Sequence, residues 1–463
     1  MQSVPELGSR AEKKHFYKNA VRMTLPIAFQ NLMDACVSSA DVIMLMFVGK
    51  TELAASSLAG QVMFVLQMLL FGISSGASVL SSQYWGKGDR RTIERVLALS
   101  MRLSVLIGLA LTLAAAFFPG AIMHIFTNDD LLIGAGKQYL VAVSASYVLS
   151  AFATVYLAVM RSVERVKMSA FIHGGAVAMN IILNACFIFG IGFFPALGIT
   201  GVALATSITR FVEVAVCVVD TLFFSPSVRL RMRDLFSRHK SLFRDFVRYS
   251  VPAAANDIIW GLAFSLYSVI LGHLNNDIVA ANSVAGVVRS LSSVVCFGAS
   301  SAAAIILGKE MGAGRLKEAR VYASRFVGMA VYTAIIGGLV VIAFRQPVLG
   351  AMHFLVDVNE NVQHYVSLML WINSYYILGQ SVNTMLICGV FRAGGDVKFG
   401  LICDCVAMWA YAVPIGFISA FVLKLPEMWV YFILCLDEFV KMPIIIRHYL
   451  SRRWLNDITK NVV

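Results

Sequence analysis

The chain has 463 residues, 59% of them hydrophobic and only 14% charged, with a net charge of +12 and a mean hydropathy of +0.77. A soluble domain is about 45–50% apolar and about 25% charged, so no water-soluble globule of this size could hide so much apolar surface. A membrane barrel is excluded as well, because the apolar stretches are long and lack the alternation of lipid-facing and lumen-facing strands.

Residues 1–20 are polar and basic (Lys13, Lys14, Lys18), and the apolar run after them is too long for the core of a cleaved signal. Residues 1–21 are therefore expected to form a cytoplasmic segment, with the first span kept in the mature chain. A bilayer span takes roughly 20 apolar residues. Hydropathy predicts six spans near 22–48, 53–83, 92–118, 137–160, 167–193 and 198–224, then a basic linker over 225–248. Six more follow near 249–273, 278–309, 317–344, 361–390, 398–423 and 428–449, with a cytoplasmic tail at 451–463. The expected fold is all-α, with an amino-terminal lobe over 22–224 and a carboxy-terminal lobe over 249–450.

Lys and Arg cluster on one side: Lys13–Arg22, Lys87–Arg95, Arg161–Lys167, the linker, Lys309–Arg325, Arg392, Lys398 and the tail. The other side holds only Lys50, Lys137, Arg345 and Lys424. Both termini are assigned to the cytoplasm, and the positive excess to topology rather than to nucleic acid.

The two halves repeat. A shift of 226 residues pairs Arg22 with Arg248, Pro26 with Pro252, Phe71-Gly72 with Phe297-Gly298, and Gly86-x-Gly88 with Gly312-x-Gly314. Six spans is an even number, so the repeats run parallel, as two six-helix bundles about a pseudo-two-fold along the membrane normal. Small residues over 72–78 and 298–304 mark close helix approaches. The run Gly86–Arg91 reads as a helix-linking turn, and Gly190–Gly201 as a tight external turn.

Catalytic signatures are missing: there is no Walker A loop, HExxH, GxSxG or metal-ligand spacing, so neither an enzyme nor a cofactor is expected. The eight cysteines lie in apolar stretches and read as buried, inert thiols. Ionisable groups inside spans are the functional candidates, because burying them in hydrocarbon is costly. Asp34 and Asp41, seven apart, share one face of span 1, and Asn180 and Asn184 form an i, i+4 pair in span 5. His173 reads as a core histidine, while Arg210 with Glu213 and Glu438 with Lys441, joined by Asp437, read as local pairs. The second half adds Asn256, Asp257, Arg289 and Asp404. For Asp257, Arg289 and Asp404 structural pairing, including an Asp257–Arg289 contact, stands beside a functional role. Asp41 has no basic residue in span 1 to pair with.

An ordered series of motifs runs through the chain: Leu25-Pro26 to Asp41, Gly49, Leu53-Ala54-Ala55, Phe71-Gly72 through Gly86-x-Gly88, and Asn180-Ile-Ile-Leu-Asn184. It continues with Gly190 to Gly201, Ala203-Leu-Ala-Thr206, Pro252 with Asn256-Asp257-x-x-Trp260, and Arg392-Ala-Gly-Gly-Asp396. Over nearly its whole length the sequence resembles the multidrug and toxic compound extrusion (MATE) family of bacterial type. The resemblance implies a plasma-membrane secondary antiporter that expels amphipathic, often cationic compounds in exchange for H+ or Na+ by alternating access. By position, Asp41 matches the family's span-1 acid, and Asn180, Asn184 and Thr206 fall at its amino-terminal-lobe site, with Asp34 as a further candidate. Asn184 stands where many members carry Asp, and span 10 contains no acid. Asp257, Asn256, Arg289 and Asp404 are the second-lobe candidates, and Pro26 is the expected hinge. The expected partners are small amphipathic cations and the lipid bilayer, with the protein a monomer. Two rival readings are a flippase for a lipid-linked precursor, which needs a strongly cationic cavity where only Arg210 and Arg289 lie deep, and a passive channel.

Overall fold

Backbone groups in hydrocarbon must find their hydrogen-bond partners within the segment, and a helix supplies them. A computed structural model describes residues 8–460 apart from 193, 225–227, 238 and 356–359. For residues 38, 39, 41–43, 46, 50, 224, 232, 276, 351 and 353–355 it describes the backbone alone. No strand occurs among the described residues.

The helices are α1 (Arg10–Val48), α2 (Lys50–Lys87), α3 (Arg90–Phe117), α4 (Pro119–Phe126), α5 (Asp130–Ser162), α6 (Val166–Phe189), α7 (Ile199–Val219) and α8 (Met232–Leu235). The second half holds α9 (Lys240–Gly272), α10 (Asn276–Gly312), α11 (Leu316–Leu355), α12 (Glu360–Thr384), α13 (Val397–Cys405), α14 (Val413–Phe417), α15 (Glu427–Leu434) and α16 (Asp437–Ser451). Stretches of π-helix extend α7 (Asp220–Phe224), α12 (Met385–Phe391), α13 (Val406–Ala412) and α14 (Ile418–Val422).

Among the described residues nine helices are long and apolar enough to cross a membrane. The other predicted spans, 22–48, 361–390 and 428–449, fall on α1, on α12 with its extension, and on α15 with α16. Large apolar side chains such as Phe171, Phe211, Phe223, Tyr332 and Trp429 stand outward, as a lipid-facing surface requires.

The linker is shorter than hydropathy predicts, because α9 starts at Lys240 and α8 lies within the linker. Leu242, Phe246, Tyr249 and Ala253 are buried at helical spacing, and Phe16, Ala20, Met23 and Ile27, at the same offset of 226, do the same in α1. An amphipathic stripe among charged residues lowers mean hydropathy without ending the helix. The short helix α4, initiated by Pro119, lies between the predicted spans 92–118 and 137–160.

The chain forms two compact units, one of Met1–Ala28 with Ala255–Asn461 and the other of Phe29–Ala254. The two changeovers, inside α1 and α9, are themselves one repeat apart. In the second of these units α2 meets the start of α9 so closely that a Cβ on Gly72 would collide with Ala254, and one on Gly76 with Ser250. In the other, α10 meets α1 in the equivalent way, where a Cβ on Gly298 would lie 2.9 Å from that of Ala28. The predicted small-residue stretches thus mark corresponding crossings.

The helix-linking turn also holds. Gly88 and its repeat partner Gly314 adopt φ of 81° and 76°, and Asp89 caps α3 by accepting from Thr92 N–H at 3.0 Å. Gly190, Gly192 and Gly198 have positive φ in the external turn.

Candidate functional site

In the unit Phe29–Ala254, α1, α5, α6 and α7 bring polar groups together within the apolar layer. Asn184 on α6 is fully buried and donates through Nδ2 to Asn180 Oδ1 at 3.2 Å, one turn away. Asn180 Nδ2 in turn donates to Thr206 Oγ1 on α7 at 3.4 Å. The expected grouping of Asn180, Asn184 and Thr206 therefore exists as one neutral chain of hydrogen bonds.

A second, charged chain lies in the same unit. His173 Nε2 is 2.8 Å from Asp34 Oδ1, and Nδ1 is 3.0 Å from Glu213 Oε1. Arg210 NH1 donates to the other oxygen of Glu213 at 2.6 Å. The i, i+3 pair read from sequence is real, but it continues through His173 to α1, so this histidine does more than fill the core. Gln30, one turn before Asp34, donates to Ser169 Oγ at 3.3 Å and accepts from Arg161 at 3.4 Å. Asp41 lies in the α1 helix, and its side chain is outside the described residues.

The other unit buries a denser cluster. Lys441 Nζ donates to Asp404 Oδ1 at 2.7 Å and lies 3.0 Å from Glu438 Oε1. Asn256 on α9 donates to Asp404 Oδ2 at 3.1 Å, and Asn383 on α12 to Glu438 Oε2 at 2.8 Å. Asp437 Oδ1 accepts from the Glu438 backbone N–H at 2.8 Å. Asp437 and Glu438 occupy the first turn of α16, where the helix dipole favours negative charge. All of these side chains are buried. Asn256 Oδ1 and Asn383 Oδ1 have no hydrogen-bond partner among the described residues, and the buried Tyr267 hydroxyl is within reach of Asp437. Three carboxyls thus surround one ammonium group, beside the π-helical stretch that follows Asp404. π-bulges recur where helices carry function.

The expected Asp257–Arg289 contact is not formed. The Arg289 guanidinium lies over the rings of Phe264 and Tyr376, at 5.2 and 5.7 Å, whereas the charged neighbours of Asp257 are Arg392 and Asp404. An arginine in hydrocarbon can be stabilised by ring quadrupoles as well as by a carboxylate, and two aromatic faces were within reach. Lys441, by spacing a local partner of Glu438, also bonds Asp404 on another helix. A lysine inside a predicted span was the available signal. Among the cysteines, Cys217, Cys296, Cys403 and Cys435 are buried as expected, whereas Cys186, Cys388 and Cys405 are half-buried and Cys36 is exposed.

The family model MatE matches residues 26–186 and 252–418, two segments that begin one repeat apart at Pro26 and Pro252. The uncharacterized transporter YisQ of Bacillus subtilis is 22% identical over 94% of this chain and 94% of its own length. A probable multidrug resistance protein NorM of Thermotoga maritima is 21% identical over 96% and 94%, and one of Synechocystis is 25% identical over 89% of each chain. Among solved structures, a MOP superfamily transporter from Pyrococcus furiosus has a TM-score of 0.85 at 18% identity, covering 94% of this chain and 96% of that one. An outward-facing multidrug resistance MATE transporter gives the same score, identity and coverage. This duplicated, all-helical, multi-pass chain belongs to the MatE family, whose members are membrane transporters and not enzymes.

Proposed function

We propose that the protein exports amphipathic, cationic compounds across the plasma membrane in exchange for H+ or Na+, as a monomer with both termini in the cytoplasm. The observation that carries this reading is the cluster around Lys441. With Asp404, Asp437 and Glu438 ionised, Lys441 in contact and Arg289 within electrostatic reach of Asp437 leave the cluster a net charge of −1 away from water, and hydrocarbon does not tolerate that without a bound cation or proton. A site of that kind takes up a cation when open to one side and gives it up on the other. The names of its NorM relatives, multidrug resistance proteins, support the substrate class.

Asn180, Asn184 and Thr206 supply neutral hydrogen-bonding groups for a substrate, and Asp34 and Asp41 supply negative charge on α1. Pro26 removes one backbone hydrogen bond from α1 just before the chain passes from one compact unit to the other, where a hinge is cheapest. The driving force suffices: one charge crossing about 150 mV releases roughly 3.5 kcal/mol, enough for a few hundred-fold concentration ratio.

The test is flux of tetraphenylphosphonium in proteoliposomes with pH and sodium gradients imposed separately. Uphill movement with one gradient, reduced at least tenfold in Asp404→Asn, is the expected result. Movement that only follows the compound's own gradient would overturn the reading.

A further inference from the structure

Arg289 lies on α10, inside the predicted span 278–309, and is half-buried between Phe264 of α9 and Tyr376 of α12. A guanidinium carries five N–H donors and keeps its charge. Among the described residues it makes no hydrogen bond and no ion pair through them. What it meets are ring faces, Phe264 at 5.2 Å and Tyr376 at 5.7 Å. Ring faces attract the charge, but they leave the donors without an oxygen. The Tyr376 hydroxyl, buried on one of those rings, likewise has no hydrogen-bond partner among the described residues.

Donors held away from water without acceptors are costly, so the arrangement favours a ligand that brings its own acceptor. Two parallel N–H bonds of a guanidinium match the two oxygens of a carboxylate. The walls continue in Trp260, packed edge-on against Phe264 at 4.4 Å, a surface suited to an aromatic body. The acid cluster around Lys441 lies in the same compact unit, with Asp437 within electrostatic reach of Arg289. A plain anion would add to the excess negative charge of that cluster. A molecule that also carries a positive group would not, because that group faces the acids while its carboxylate takes Arg289.

We infer that Arg289, walled by Phe264 and Tyr376, is the carboxylate anchor of a bipolar site, and that the compounds this protein binds include aromatic zwitterions. The anchor is noncovalent, and no bond of the ligand changes. The positive pole rests on the proposed cationic substrate, whereas the carboxylate anchor does not.

The test uses two ligands with the same cationic centre: para-carboxybenzyl triphenylphosphonium, a zwitterion at neutral pH, and its methyl ester, a plain cation. Binding to purified full-length protein in one detergent is read by isothermal titration calorimetry, with the heat from protein-free micelles subtracted. The wild type is expected to bind the zwitterion about tenfold more tightly than the ester. In Arg289→Met the order inverts. The zwitterion loses about tenfold or more in affinity, and the ester gains, because the acid cluster has lost a compensating positive charge. A purely structural role for Arg289 weakens both ligands by the same factor, and that result, or unchanged affinities for both, overturns the inference. So does a wild type that binds the zwitterion no better than the ester, a comparison that needs no folded variant. Binding of the ester alone leaves the cationic-substrate reading standing while the anchor falls. Binding of the zwitterion alone keeps the anchor and overturns that reading.

Discussion

Lys441 holds two of the three buried carboxyls around it, so it is the residue whose loss is felt most. Removing one partner of a buried ion pair costs about 3–5 kcal/mol, because the remaining charge is left without compensation. Lys441→Met is expected to lower stability by about that amount in thermal unfolding of the detergent-solubilised protein. Adding Asp404→Asn should recover a large part of the loss. Equal stability of Lys441→Met and wild type would mean that the acids are already neutral.

In the first turn of α1, Glu12 is held by a two-pronged contact with Arg325, at 2.6 and 2.8 Å. The Arg325 guanidinium keeps its carboxyl below the usual carboxylate range. A lowered carboxyl pKa in the folded chain adds stability that is present above the unfolded value and is lost as pH falls through the folded one. The stability gap between wild type and Glu12→Gln should therefore be full near neutral pH and shrink as pH falls below about 4. Unfolding midpoints measured across that range check the sign. A gap that widens in acid would contradict the assignment.

Among the elements, α1 and α9 do parallel work, since each begins in one compact unit and ends in the other. Their crossings depend on Gly72, Gly76 and Gly298, where a side chain meets the neighbouring helix. Gly76→Leu forces α2 away from Ser250, and overpacking of this kind costs about 1–3 kcal/mol. Reduced thermal stability with an unchanged helical circular-dichroism spectrum is the expected outcome, whereas Gly60→Leu, at a site with no neighbour within 4 Å of an added Cβ, should be close to neutral.

The repeat, the twelve helical stretches and these crossings were legible in the sequence because hydropathy and small-residue patterns are local and recur at a fixed offset. The Asn180–Asn184 contact was legible for the same reason, as one turn of helix. The pairs between distant parts of the chain were not. Asp34 and His173 are 139 residues apart, and Asp404 and Lys441 are 37 apart on different helices. A single sequence carries no distance between such positions. Arg289 shows the opposite failure: a plausible acidic partner was assigned where ring faces hold the cation instead. The early start of α9 was hidden because its buried stripe is diluted by Arg244 and Arg248.

For the molecule as a whole, the proposed export is an exchange, in which a buried acidic site is never left empty of positive charge. The flippase reading requires a strongly cationic cavity, yet Arg210 is neutralised by Glu213 and Arg289 lies against aromatic rings. The passive-channel reading requires no coupling at all. Exchange and leakage differ most clearly in where net flux stops. The measurement is the tetraphenylphosphonium gradient at zero net flux in proteoliposomes, taken while a fixed pH or sodium gradient is opposed by increasing amounts of the compound. With coupled exchange, flux stops at a compound gradient well away from unity and shifts by a fixed power of the ion gradient. A stopping point at equal concentrations on both sides, whatever the ion gradient and with the membrane potential clamped at zero, would contradict it.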